Sequence, residues 1–276
     1  MVKTAAAQTK KPAGMLAQVT KGTRGRPSLI VMHGVEGIGK TSLAAHSPGA
    51  VFIMPKGETG LETLIGAGRV PATAHFPELH LWSDLLEAVT QLIEGDHNHR
   101  TLVIDTINAA ERLCHEHVCR EQYGGDWGRS GFANFNQGFE TSLAEWRKLL
   151  GLCDRLRDRG VGILLTAHTV VRTHRNPDGA DWDRFVPDLH HKTWSITNRQ
   201  ADLVLFANFS DVVYEDGARN KAKGSDQDRV LHTVRTAAWD AKNRHGLPDE
   251  IEMGANAIEA WQSLSNAMKK TRKVGD

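Results

Sequence analysis

A three-layer α/β fold with a mostly parallel central sheet is what this sequence predicts. Three observations carry the prediction. Five apolar runs of strand length recur along the chain, helix-patterned segments separate several of them, and the first run leads directly into a glycine-rich segment that opens a helix.

The runs lie at 28–32, 51–54, 101–104, 161–165 and 202–206. Each is bounded by polar residues or glycine and shows little polar alternation, as strands buried on both faces do. Leu85, Leu86, Val89, Leu92 and Ile93 form an apolar stripe at helical spacing before the third run. Leu143, Trp146, Leu149, Leu150, Cys153 and Leu156 form another before the fourth. Beyond residue 207 the pattern shortens to β-like pieces at 211–214 and 229–238, read as a C-terminal β-hairpin extension of the sheet. Residues 255–270 pattern as a closing helix.

Residues 1–24 carry scattered lysine and arginine without periodicity and read as a flexible basic arm. Residues 25–254 form the core and 255–276 a terminal helix with a basic tail, Lys269 to Lys273. No repeat and no linker divides the chain further.

With 34 Lys and Arg against 33 Asp and Glu, the net charge is +1, so any nucleic-acid affinity must come from local patches. Three cysteines cannot build a disulfide framework. No apolar stretch reaches the length of a membrane span or a signal-peptide core. A soluble intracellular protein is expected.

The strongest motif is Gly34-Val35-Glu36-Gly37-Ile38-Gly39-Lys40-Thr41, followed by Ser42, which fits G-x-x-x-x-G-K-[ST] at every fixed position. The glycines let backbone N–H groups turn inward around phosphates, and the loop opens onto a helix N-terminus that favours anions. Lys40 is expected to reach the β- and γ-phosphates of ATP, and Thr41 to ligate Mg²⁺. Leu102-Val103-Ile104-Asp105-Thr106 delivers a carboxylate at a strand end, the Walker B pattern, so Asp105 joins Thr41 in the metal shell.

Hydrolysis also needs a carboxylate to activate water. Glu58, just past the second strand, and Glu36, inside the loop, are both candidates. His168 ends a further strand, where a polar residue can touch the γ-phosphate; a merely satisfied histidine is the alternative. Lys242 and Arg244, one residue apart on an extended segment, point the same way. Cys114, His115, His117 and Cys119 fall within six residues, but a single helical segment cannot converge four ligands tetrahedrally, so half-buried helix positions explain them better.

The ordered set of phosphate loop, Glu58-Thr59-Gly60-Leu61, Leu102 to Thr106, Leu165 to His168 and Ala241-Lys242-Asn243-Arg244-x-Gly246-Leu247-Pro248 resembles the phage-encoded RecA-like P-loop ATPases of single-strand annealing and recombination. These are core-only relatives of the bacterial recombinase, and the resemblance spans roughly residues 27–252. It implies a RecA-like core, a homo-oligomer (filament or ring) with ATP at subunit interfaces, and single-stranded DNA as partner. A single-stranded DNA-binding protein is a further implied partner, and the host cytoplasm the implied location. By position, Glu58, past the strand taken to neighbour the phosphate-loop strand, would activate water. His168 would sense the γ-phosphate, and Lys242 and Arg244 would act in trans.

Residues 170–197 read as a long polar loop with cations and rings interleaved, the combination a sequence-tolerant single-strand binder needs. Arg172, His174, Arg175, Arg184, Phe185 and Lys192 are its candidate DNA contacts. A second glycine- and aromatic-rich loop, Tyr123 to Phe132, is a further candidate surface. The other functional classes left open are a nucleotide-gated DNA-binding module with slow hydrolysis and a hexameric helicase or loader. A small-molecule kinase fits less well, because Arg172 to Arg184 lacks the clustered arginines of a lid.

Overall fold

The computed structural model describes residues 25–216 and 219–273, with Gly14, Met15, Val19, Lys21 and Gly22 before them; side chains are described outside 211–228 and up to Thr271. Most of the expected 1–24 arm therefore lies outside the described residues.

The elements follow in the order β1 (Leu29–Gly34), α1 (Lys40–Ala45), β2 (Ala50–Ile53), α2 (Gly60–Gly66), β3 (Ala74–His75), α3 (Trp82–Glu94), β4 (Thr101–Ile104) and α4 (Ile107–Tyr123). Then come α5 (Gln137–Asp158), β5 (Gly162–His174), β6 (Trp182–Pro187), α6 (His191–Gln200), β7 (Leu203–Asp216), β8 (Arg219–His232), β9 (Lys242–Asn243), β10 (Glu250–Glu252) and α7 (Ala257–Lys273).

The sheet runs β10-β8-β7-β1-β5-β4-β2-β3. From β3 to β7 every neighbouring pair is parallel, while β8 and β10 continue antiparallel. β2 is thus separated from β1 by β5 and β4. Glu58 does not follow a strand adjacent to the phosphate-loop strand, as the sequence reading assumed.

Strand periodicity sorts the core into two faces. Leu29, Val31, Val51, Ile53, Leu102, Ile104, Ile163 and Leu165 pack against α3, α4 and α5, with Trp82 and Trp146 stacked at 5.9 Å. The alternate residues Ile30, Met32, Phe52, Val103, Leu164 and Leu205 face α1, α2 and α7. Three layers result, and Ala260, Leu264 and Ala267 of α7 belong to the same core as Leu43 and Ala44 of α1. The supposed basic tail from Lys269 to Lys273 is the final turns of α7.

Two readings need correction. β5 does not end at His168. It continues to His174 and turns back as β6, paired from Thr169↔Pro187 to His174↔Trp182. The expected loop at 170–197 is therefore a hairpin followed by α6. Similarly, 211–214 is not a separate piece: β7 runs unbroken to Asp216 and pairs with β8, with a register shift between Phe209 and Asp211. Alternating polar and apolar residues in the β5–β6 ribbon resemble loop composition when they are read without their cross-strand partners.

The four cysteine and histidine positions of 114–119 lie on α4. Cys114 and Cys119 are buried, and His115 packs edge-on to Phe139 at 5.2 Å. Among the described residues no helix is long and apolar enough to cross a membrane.

His33, fully buried in β1, donates from Nε2 to the Asp240 carbonyl (2.8 Å), so Nδ1 accepts from the Thr169 hydroxyl (3.0 Å). Burial holds His33 at about 4, and it lowers His115 and His190 to about 4 as well. Between their unfolded value of 6.5 and about 4, the unfolded chain binds the extra protons. Stability should therefore fall as pH drops through that window. Denaturant midpoints at pH 7 and pH 5 check this; an equal or higher midpoint at pH 5 would contradict it.

Candidate active site

The phosphate loop joins β1 to α1. Gly37 (φ 74°) and Gly39 (φ 99°) adopt the left-handed conformation that turns successive N–H groups to one side. Gly34 is fixed for a different reason, since a Cβ there would lie 2.3 Å from the Ala207 carbonyl oxygen on β7. Lys40 Nζ donates to the carbonyls of Gly34 (2.8 Å) and Val35 (3.0 Å), and burial lowers its pKa. Its ammonium is thus held in the concavity of the loop.

Asp105 ends β4, two strands away, and is 4% exposed. The Thr41 hydroxyl donates to its Oδ2 (2.8 Å), and the Thr166 hydroxyl of β5 donates to its Oδ1. Burial raises the carboxyl pKa, and the two hydroxyls act against that rise. A hard-oxygen pair of hydroxyl and carboxylate beside a loop lysine fits Mg²⁺ in complex with nucleotide phosphates.

Glu58 reaches this centre from the turn after β2. Thr106 Oγ1 donates to Glu58 Oε1 (2.7 Å), and the same hydroxyl accepts from Ala109 N (3.4 Å) as the N-cap of α4. His168 Nε2 lies 3.8 Å from Glu58 Oε1, an ion-pair distance. Each shifts the other: His168, helped by Thr106, holds the Glu58 carboxyl below its ordinary range, and Glu58 raises His168. The Asn108 side chain accepts from His168 N (2.8 Å) and donates to the Asp188 carbonyl at the end of β6.

These groups share one cavity of about 600 Å³, lined by Glu36, Gly37, Gly39, Lys40, Thr41, Ser42, Glu58, Asp105, Thr106 and His168. Glu36 is exposed on the loop and shares no hydrogen bond with the Thr106–Glu58–His168 group. Val35 and Ile38 contribute backbone, Ile38 also packing into the core. Arg69 and Arg229 line the same cavity. Neither was visible in the sequence, because no local motif marks a side chain brought in by a distant helix end or an antiparallel strand.

The profile of the AAA domain family AAA_24 matches residues 26–245. The chain belongs to this family. It is a P-loop ATPase of the AAA_24 group, and the α/β P-loop fold expected from the sequence is the one found. No curated protein sequence matches. Among solved structures, it is similar to a KaiC-like protein of the hyperthermophilic archaeon Pyrococcus horikoshii OT3. That match has 15% identity and a TM-score of 0.37, and covers 75% of this chain and 78% of that one.

The remaining candidate residues of this AAA_24 member divide into three groups. Lys242 and Arg244 do point the same way: Lys242 Nζ donates to the Asn198 (2.5 Å) and Arg199 (3.2 Å) carbonyls, and Arg244 Nη2 to Arg199 O (2.9 Å). They cap the C-terminus of α6. Val204↔Lys242 and Gly34↔Ala207 put Lys242 about 10 Å down the strands from the phosphate loop, and Arg244, level with Asp202, about 17 Å down, out of reach of their own nucleotide site.

Arg184 is 6% exposed and donates to Asp240 Oδ1 (2.7 Å), which also takes the Trp194 indole on its other oxygen (2.8 Å). Removing one member of a buried pair costs about 3–5 kcal/mol. Phe185 stacks on Phe206 at 5.2 Å, and Lys192 is paired with Glu140. Arg184 and Phe185 leave the DNA-contact set, because burial and packing already occupy them; Lys192 stays at the surface, with a solvent-exposed pair to Glu140.

Arg172, His174 and Arg175 stay on the outer part of the hairpin. Arg172 is 3.4 Å from Asp188, and His174 lies 4.6 Å from the Trp182 ring.

Glu58→Gln should lower turnover by about 10²–10⁴-fold, while Glu36→Gln should leave it near wild type. In His168→Ala the Glu58 carboxyl loses the partner that lowers its pKa and protonates at higher pH. The acid limb of the kcat/KM profile should move upward; an unmoved limb would remove His168 from the site chemistry.

Proposed function

We propose that this AAA_24 member is a RecA-like ATPase core that hydrolyses ATP with Mg²⁺, assembles as a homo-oligomer and grips single-stranded DNA for annealing or recombination. The observation that carries the reading is the convergence of Lys40, Thr41, Asp105, Glu58 and His168 on one cavity from four separate strands, β1, β4, β2 and β5.

Mg²⁺, when bound through Thr41 and Asp105, draws charge from the phosphates. The chain's own groups do the rest. Lys40 leaves its two loop carbonyls for the phosphates. Glu58 takes a proton from water as the water oxygen bonds to the γ-phosphorus. The bond from that phosphorus to the bridging oxygen breaks, and ADP and phosphate leave. His168 keeps Glu58 ionised until that moment.

DNA coupling is supported by continuity. His168 lies on the strand that becomes the β5–β6 hairpin, and Asn108 bonds both His168 N and the root of β6. A shift at the γ-phosphate end therefore has a short covalent and hydrogen-bonded path to Arg172, His174 and Arg175. The loop after α4 adds rings for base stacking, with Trp127 49% and Phe135 92% exposed and Phe135 at positive φ. Lys242 and Arg244 would meet a nucleotide only across a subunit interface.

Measured ATP turnover should depend on Lys40, falling to background in Lys40→Ala. It should rise with single-stranded DNA and little with duplex. Turnover indifferent to single strands would overturn the DNA part of the reading and leave the ATPase.

A further inference from the structure

On the β5 side of β1, the cavity is walled by the groups already assigned: His168 from β5, Asp105 and Thr106 from β4, Glu58 from the turn after β2. On the opposite side, two strands from β1, stands one cation with no place in that scheme. Arg229 of β8 sends its guanidinium back over β7 to the phosphate loop. Nη1 donates to Ile38 O (3.3 Å) and Nη2 to Gly254 O (2.9 Å), the residue that leads into α7. A Cβ on Gly39 would lie 3.0 Å from Nη1, so the guanidinium rests directly against the turn that precedes Lys40.

A guanidinium carries five N–H donors, and these two carbonyls engage one on each terminal nitrogen. The group lines the cavity beside Lys40 and the first residues of α1. We propose that Arg229 is a nucleotide-binding residue, contributing its remaining donors and its charge to the α/β end of the polyphosphate, the part that ATP and ADP share. The inference rests on the nucleotide-binding reading above and deepens it.

The placement follows from sheet order. Glu58, His168 and the metal-ligating carboxylate approach from the β5 and β4 side, which assigns that end to the γ-phosphate. Arg229 approaches from β8, at the loop segment whose N–H groups cradle the α- and β-phosphates. Charge-assisted contacts to phosphate are among the stronger hydrogen bonds. The same two carbonyl bonds make Arg229 a strut between the phosphate loop and the start of α7. Its backbone adds to this, since Met253 N donates to Arg229 O (2.8 Å).

The test separates charge from scaffold. Arg229→Lys keeps the charge, and Arg229→Gln keeps neutral donors for the carbonyls. Dissociation constants of a fluorescent ATP analogue and a fluorescent ADP analogue are measured for both variants and the wild type, with thermal midpoints alongside. Arg229→Gln should weaken ATP and ADP by a similar factor, about tenfold or more, and Arg229→Lys should recover most of it. If both variants bind both nucleotides like wild type, or Arg229→Gln weakens ATP alone, the assignment is overturned. So it is if both variants lose binding together with an equal fall in thermal midpoint, which is the signature of a strut alone. Wild-type protein that binds neither analogue would instead sink the nucleotide reading itself.

Discussion

The buried carboxylate of Asp105 is the group on which the site depends. It sits at the end of β4, almost out of solvent, and takes one hydroxyl from each side: Thr41 from the start of α1, Thr166 from β5. An ionised carboxylate this deep would be costly without donors. The two threonines stabilise the charge and so fix β4, β5 and the phosphate loop in mutual register. Thr106, the next residue, then extends that register outward to Glu58. Glu58, carried by the strand three places from β1 in the sheet, is thereby brought into the same cavity as Lys40.

A second set of charges shapes the periphery. Asp240 accepts Arg184 and the Trp194 indole, and its carbonyl accepts buried His33 of β1. Asp202 does similar work at the other end of the sheet. It takes Leu29 N (3.0 Å) and buried Arg157, and it lies 3.7 Å from Arg244. Ion pairs at such buried positions hold elements in place and leave little charge for an external ligand. Among the described residues of the β5–β6 ribbon, Arg172 and Arg175 remain exposed outside such buried pairs.

The sequence made the central strands, the α3 and α5 stripes and the phosphate loop legible, because each is a local pattern. Periodicity places β4 at Thr101 to Ile104, where the structure has it. What it could not convey was sheet order. The strand before Glu58 lies three strands from β1 and does not adjoin it, and Glu58 reaches the site through Thr106 and His168. The β5–β6 hairpin resembles a loop in sequence because its polar residues find partners only across the ribbon, as Thr173 does with Asp183 (2.8 Å). Arg184 and Phe185 looked exposed for the same reason. Arg229 and Arg69 had no signal at all, since their relation to the phosphate loop exists only after β8 and α2 are in place.

The most direct test of this account is the Mg²⁺ dependence of ATP affinity in wild type and in Asp105→Asn. If Asp105 is the metal-side anchor that organises the site, wild-type affinity rises with Mg²⁺ and that of Asp105→Asn does not. An equal Mg²⁺ response in the two proteins, at equal thermal stability, would contradict the claim that the site is built around this carboxylate.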